Sequence, residues 1–267
     1  MQIYQKQDGV PKFLANEYKN KTKDYVVLIP IINENGKIQN QLKRMKNCNI
    51  ADIADIVICD GDSSDGCTEE KKLRSLDVNS LLVKKDTGRQ GAQLRMGIWW
   101  SLKRGYIGII TIDGNNKDSV EDIRVIINKL KEGFDFIQAS RFMKGGKGIN
   151  TPISRSLAIR LIHAPLISIA SGMKFTDTTS AYRGYSRRYL EDKRVQLFRD
   201  IFDSYELLFY LSIKANRLGY KACEMPVTRT YPKNEKVPTK ISFFKGNFEI
   251  LINTFKAVFG YYNPKYK

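Results

Sequence analysis

The chain has 267 residues, 42% of them hydrophobic, and 45 Lys and Arg against 28 Asp and Glu give a formal charge of +17. That is enough apolar material for a large core and too much for a disordered chain. The single histidine, His163, excludes His-rich metal sites. The charge points to a polyanionic partner, whether nucleic acid, nucleotide phosphates or an anionic membrane surface. It is partly concentrated: from Lys214 onward, 11 basic residues stand against 3 acidic ones, a net +8. The most apolar run, 157–173, is interrupted by Arg160, His163 and Pro165, so no membrane-spanning helix is expected. The first residues lack the apolar core of a secretory signal. Cys48, Cys59, Cys67 and Cys223 show no paired spacing, as in reduced cytosolic thiols.

Residues 1–23 are polar and irregular and read as an arm or a short preceding helix. The β-branched run 25–30, stopped by Pro30, is a buried strand. Ile38, Leu42 and Met45 recur at helical spacing within 36–47. A second strand over 53–59 runs into the turn-rich 60–66, followed by a helix over 68–76 and a third strand over 80–83. A helix over 92–104, a strand over 106–112 ending at Asp113, a helix over 119–130 and a strand over 134–139 come next. This alternation predicts an α/β fold with a doubly wound, parallel sheet and ligands at the strand C-terminal ends. Farther on, 155–171 and 205–218 read as helices, 177–185 as a polar-aromatic segment and 223–230 as a strand. A basic, proline-broken loop covers 231–240. Ile241, Phe244, Phe248, Leu251, Phe255, Val258 and Tyr262 then recur in three- and four-residue steps, an amphipathic helix with aromatic teeth. The expected division is an arm (1–23), a catalytic domain (24–240) and a helical extension (241–267).

Asp113, directly after a buried strand and followed by Gly-Asn, can hold a hard cation, Mg²⁺ or Mn²⁺, against a diphosphate. Asp60 opens a similar loop. Residues 88–91 place backbone N–H groups and Arg89 at a helix start, where phosphate can bind. There is no Walker lysine pattern and no GxGxxG after the first strand, so neither a P-loop NTPase nor a dinucleotide fold is supported. His163, in an apolar helix, reads as a packed or interfacial histidine.

Taken in order, VVLIPIINE (26–34), IVICDGDSSDGC (56–67), GRQGAQLRMGI (88–98), IITIDGNNKD (109–118), FDFIQASRF (134–142), DTTSAYRGYSRR (177–188) and the segment 205–232 resemble the family 2 glycosyltransferases. The likeness is to the branch of dolichol-phosphate and polyprenyl-phosphate mannosyl- and glucosyltransferases, and it covers roughly residues 25–242. The resemblance implies a GT-A-like sheet, a nucleotide-sugar donor, a lipid-phosphate acceptor or growing surface glycan, and inversion at the transferred sugar. It implies that Pro30, Asn33 and Glu34 line the nucleotide pocket, that Asp60 meets the base and that Arg89 lies near the nucleotide. It places Asp113 at the start of a DxD-type metal and diphosphate motif, and Gln138, Ser140 and Arg141 beside the sugar or acceptor. Asp177, Arg183 and Arg187 would build the acceptor face, and Lys240 would close a basic loop over the phosphates.

Two positions depart from that pattern. Asn115 replaces the second aspartate, and Lys117 stands where the branch often has a metal-ligating glutamine. An amide binds Mg²⁺ less well than a carboxylate, and a protonated lysine cannot ligate it at all, so weak metal dependence is expected. Lys117 can instead set its own charge against the diphosphate. Asp177 is the first candidate base if the acceptor is a hydroxyl. The competing readings are a nucleotidyltransferase and a basic nucleic-acid-binding protein; no nucleic-acid-reading motif is present, and no such partner is expected. The aromatic C-terminal stripe fits a peripheral attachment to the cytoplasmic membrane face, or else a contact between two copies of the chain.

Overall fold

The computed structural model describes residues 1–232 and 245–264, without the side chains of residues 245–247. The chain starts with β1 (Gln2–Tyr4) and β2 (Phe13–Glu17), then β3 (Tyr25–Ile31), α1 (Lys37–Asn47), β4 (Asp55–Asp60), α2 (Glu70–Ser75), β5 (Val78–Lys84), α3 (Gln90–Lys103), β6 (Gly108–Thr111), α4 (Ile123–Lys131) and β7 (Phe136–Ser140). The second half holds β8 (Lys147–Ile149), then α5 (Ile153–Ala158) continuing through a π-helical turn into α6 (Ala164–Ser171). It ends with β9 (Arg183–Ser186), α7 (Arg187–Leu190), α8 (Glu206–Arg217), β10 (Ala222–Pro226), β11 (Thr228–Thr230) and α9 (Lys245–Val258).

The main sheet has the order β1-β2-β5-β4-β3-β6-β9-β7-β10, and β8 pairs with β11 in a small second sheet. Strands β5, β4, β3 and β6 are parallel neighbours, as the strand–helix alternation predicts. Two features modify the expected parallel sheet. β9 is inserted antiparallel between β6 and β7, so the polar-aromatic segment 177–185 contributes a central strand. Residues 1–23 form two antiparallel edge strands through β2 on β5, in place of the expected arm or helix.

Both faces of the sheet are covered, which is why β3 and β4 are buried at every position. Period-two alternation divides β3 between two cores: Val26 and Leu28 pack with Met96, Trp100 and Phe209, whereas Val27, Ile29 and Ile31 pack with Leu42, Met45 and Ile126. Each such buried side chain contributes about 1.5–3 kcal/mol. The C-terminal ends of β3, β4 and β6 are thereby fixed side by side, with the loops after them open above the sheet.

Candidate active site

The loop after β3 and the loop after β4 are stitched together. Asn33, in the left-handed region at φ 50°, donates its backbone N–H to Ser63 Oγ at 2.9 Å, and its Oδ1 accepts from the Ser64 N–H at 2.9 Å. Asp60 accepts from the Ser63 N–H at 2.9 Å and from Ser63 Oγ. Burial raises the Asp60 pKa, with the Ser63 hydrogen bonds opposing. Its carboxylate thus shapes the loop after β4 through both groups of Ser63. Glu34 accepts from Lys37 Nζ at 2.9 Å, and Pro30 sits inside the sheet opposite Cys59. Beside these loops, Gly61, Asp62, Lys84, Lys85, Asp86 and Thr87 line an open cleft of ≈ 470 Å³.

Asp113 lies just beyond β6. Gly114 is required there, since a Cβ would meet Ile31 Cγ2 at 2.3 Å. Asp113 Oδ1 accepts from Gln90 Nε2 at 2.9 Å, and Oδ2 faces Arg229 Nη2 at 3.2 Å and Asn115 Nδ2 at 3.5 Å. Arg229 also donates from Nη1 to the buried Asp118 at 2.5 Å. Burial opposes the charge on Arg229, but Asp118 and Asp113 outweigh it and hold the guanidinium well above its ordinary pKa. β11 pins the loop through its backbone: Thr230 N–H donates to Lys117 O at 2.8 Å, and Ser119 N–H donates to Thr228 O at 2.9 Å. Lys117 is 9% exposed and sets its ammonium 4.9 Å from the centre of the Tyr231 ring. Burial, and then Arg229, lower its pKa.

A second cluster adjoins this loop. Arg141, one residue past β7, donates from Nε to Asp177 Oδ2 at 2.6 Å and from Nη2 to Oδ1 at 3.3 Å. Its Nη1 reaches the Tyr231 phenol at 3.0 Å, and Arg155 Nη1 reaches the same oxygen at 3.3 Å. Burial raises the Tyr231 pKa, but Arg229, Arg141 and Arg155 outweigh it and bring it down to about 8. The Asp177 segment is fixed from behind by Glu224, which accepts from the Thr176 N–H at 2.8 Å and the Asp177 N–H at 3.1 Å. Ser140 Oγ joins the same network through Thr176 Oγ1 at 2.6 Å.

The structure thus brings Asp113, Asn115, Lys117, Arg141 and Asp177 toward one region and corrects three other assignments. Arg183 is fully buried and donates to the carbonyls of Thr178, Ser180 and Leu208, so it braces β9 against α8 and presents nothing to an acceptor. Gln138, also fully buried, donates to Ala139 O and Ser180 O. Arg187 pairs with Glu191 at 2.7 Å; Ser186 beside it pairs with Gly108 at the start of β6, which puts Arg187 at the sheet end opposite Asp113. Lys240 and Phe244 lie outside the described residues. The sequence reading missed Gln90, Arg155, Arg229 and Tyr231. The burial of Arg229 and Tyr231, alternating with Thr228 and Thr230, follows from the placement of β11 and has no cue in the local sequence.

Arg89, exposed at the start of α3, reaches α9, where Nη1 meets both Glu249 oxygens at 2.9 and 3.1 Å. His163 Nδ1 lies 2.9 Å from Thr254 Oγ1 on the same helix, so the histidine is interfacial, as its apolar setting suggested.

No family model matches the chain. Over 205 residues it is 25% identical to the undecaprenyl-phosphate mannosyltransferase of Micrococcus luteus, covering 76% of this chain and 82% of that protein. Over 211 residues it is 24% identical to the polyprenol monophosphomannose synthase of Mycolicibacterium smegmatis, covering 78% of each. Among solved structures, glucosyl-3-phosphoglycerate synthase of Mycobacterium tuberculosis matches with a TM-score of 0.64 at 14% identity, over 90% of this chain and 81% of that one. The same protein in complex with Mn²⁺, UDP-glucose and phosphoglyceric acid matches with a TM-score of 0.61. At that identity the likeness establishes the fold.

The residues around Asp113 do not fit a divalent ion. They offer one carboxylate whose two oxygens already face N–H donors, an amide in place of a second carboxylate, and a lysine as the third polar position. A hard cation needs several unencumbered oxygens. Among the described residues no group of three His, Cys, Asp or Glu is placed to hold one.

Proposed function

We propose that this chain, a glycosyltransferase of the GT-A fold related to the polyprenyl-phosphate sugar transferases, moves a hexosyl group from a nucleotide-sugar donor onto a polyprenyl phosphate. One observation carries the choice of acceptor. Asp177, the side chain best placed to be a base, is 1% exposed and locked to Arg141, so among the described residues no free carboxylate faces the cationic cluster. A hydroxyl acceptor needs a base to take its proton. A phosphate monoester does not, because its oxygen is already ionised near neutral pH.

The chemistry follows from the side chains. Arg155, which converges with the buried Arg141 on Tyr231, offers a fork-shaped donor for a phosphate. From there an acceptor oxygen attacks the anomeric carbon as the bond to the departing diphosphate breaks, which inverts that centre. The charge growing on the leaving group is met by fixed donors on the Asp113 side, which lose little in reorganising. The cleft along Gly61, Lys84 and Thr87 gives the nucleotide end room.

We also infer peripheral attachment at the cytoplasmic face of a membrane. Support comes from two neighbouring helical faces. α5, the π-helical turn and α6 leave Ile153, Leu157, Leu161 and Ile169 exposed at 78, 52, 69 and 75%. On α9 and just after it, Phe248, Ile252, Phe255 and Phe259 are exposed, while Val258 turns inward onto the core. The stretch Ile153–Ser171 is long and apolar enough to cross a membrane, contrary to the reading from its interruptions. It also packs against α8 and α9, which fits an in-plane position. Arg160 and Lys174 are exposed beside the apolar residues, suiting an anionic leaflet.

The test is transfer from a panel of labelled nucleotide sugars with and without undecaprenyl phosphate. Label entering the organic phase only with the lipid supports the reading. Label passing only to water or to a sugar hydroxyl refutes it.

A further inference from the structure

We propose that Lys117 and Arg229 supply the positive charge facing the donor diphosphate, in the place where a divalent metal sits in enzymes whose loops carry a full set of oxygen ligands. The proposal rests on the nucleotide-sugar reading above and goes beyond it by assigning the charge to two residues of the chain itself.

The geometry around Asp113 is the starting point. A metal held by this carboxylate has to approach one of its two oxygens. Gln90 Nε2 lies 2.9 Å from Oδ1 and Arg229 Nη2 lies 3.2 Å from Oδ2, so one approach meets an amide donor and the other a fixed guanidinium. Arg229 cannot easily withdraw. It is 7% exposed, its Nη1 is bonded to the buried Asp118, and its backbone forms a bridge with Asp118. A dication arriving beside it meets like charge at short range in a site where water screens little.

Lys117 completes the arrangement. Its carbonyl accepts from the Thr230 N–H and its own N–H donates to Asn115 Oδ1 at 3.3 Å, so its backbone is held on both sides. The side chain is mostly buried against Tyr231, and its ammonium is stationed over that ring. An ammonium donates and never ligates a metal, but it is an effective point charge for phosphate. Asp113 then has a different task from metal binding: it anchors Arg229 and, through Gln90, the start of α3. Among the described residues two buried atoms, Asp118 Oδ1 and Arg229 Nε, have no hydrogen-bond partner, and the open oxygen makes Asp118 another carboxylate a cation could seek here.

The test measures binding, using the whole chain and UDP and GDP as probes, by calorimetry in chelator and then with Mn²⁺ or Mg²⁺. Mn²⁺ binding is followed separately by electron paramagnetic resonance. The proposal expects one diphosphate to bind in chelator with a Kd within about threefold of its value in metal. Lys117→Gln is expected to weaken that binding by about tenfold or more, with Lys117→Arg restoring most of it. The double variant Asn115→Asp/Lys117→Gln is expected to acquire Mn²⁺ binding and Mn²⁺-dependent diphosphate binding. Thermal melting checks that each variant is folded.

Diphosphate binding by wild type that appears only with Mn²⁺ overturns the proposal and leaves the glycosyltransferase reading intact; loss of that binding in Asp118→Asn then identifies the ligand. An unchanged Kd in folded Lys117→Gln overturns it equally. Failure of both diphosphates to bind under every condition removes the nucleotide-sugar reading and the proposal together.

Discussion

Arg141 and Asp177 meet through a 2.6 Å Nε–Oδ2 contact with both side chains at most 3% exposed, joining the end of β7 to the segment that leads into β9. Desolvation works against this pair, and Asp177 outweighs it to raise the Arg141 pKa. Removing one partner strands the other charge inside the protein. Arg141→Ala is therefore expected to destabilise the fold by about 3–5 kcal/mol, read by denaturant unfolding. A loss below about 1 kcal/mol would mean that water already screens Asp177.

Asp113→Ala is expected to reduce transfer by about a hundredfold or more while the melting temperature changes little. The carboxylate is 23% exposed and closes no core, but it orients Arg229 and Gln90. Near-normal turnover would remove the Asp113 loop from the active site.

The exposed apolar faces lead to a flotation experiment on anionic liposomes at low and high salt. Wild type is expected to float at low salt, and Leu157→Glu/Leu161→Glu to lose more of that binding than Phe248→Glu/Phe255→Glu, because the α5–α6 face is the larger. Wild type that stays unbound but sediments as a dimer dispersed by the same substitutions would assign the faces to a contact between copies.

His163 is buried beside Thr254 and its pKa is lowered by burial. The folded state thus binds its proton less readily than the unfolded chain, whose histidine titrates near 6.5. The neutral ring's contribution is fully present above that value and is lost as pH falls through the lower folded pKa. Acidification is expected to loosen α9 first, seen as faster amide exchange in 245–258. His163→Gln should flatten that dependence.

Tyr231 carries the opposite kind of prediction. Its folded pKa of about 8 against an unfolded 10.0 means that stability rises as pH passes from about 8 toward 10, and that nothing is contributed near neutrality. Wild type is expected to gain on the order of 1–2 kcal/mol over Tyr231→Phe across that window. Parallel pH curves for the two proteins would contradict the shift.

Much of the fold is legible because β3, β4, β6 and β7 are short apolar runs between turn residues, and α1 and α4 show a clean helical stripe. β9 was hidden because Arg-Gly-Tyr-Ser has no strand pattern; its arginine is buried only because Thr178, Ser180 and Leu208 offer carbonyls from elsewhere in the chain. Asp113 was legible from its place after a strand. Arg229 was not, because its contact with Asp113 spans 116 positions and depends on β11 lying along residues 117–119. The Arg89 contact with Glu249 was not legible either, because it spans 160 positions and Glu249 sits on a helix that local pattern cannot place.

The antiparallel strand β9 also sets an order of events during synthesis. Among the described residues β7 pairs with β9 and β10, both of which follow it in the chain. A nascent chain ending at Lys131 can already pair β3, β4, β5 and β6, but the edge of β6 stays open until residue 186 has emerged. Arg141 waits for Asp177, and Asp113 for Arg229, so the charged cluster assembles last on a half-sheet formed earlier. Long-range closure of this kind is slow. Refolding of the full chain is therefore expected to show protection of β3–β6 amides before β7–β10 amides, with ligand affinity returning only in the later phase.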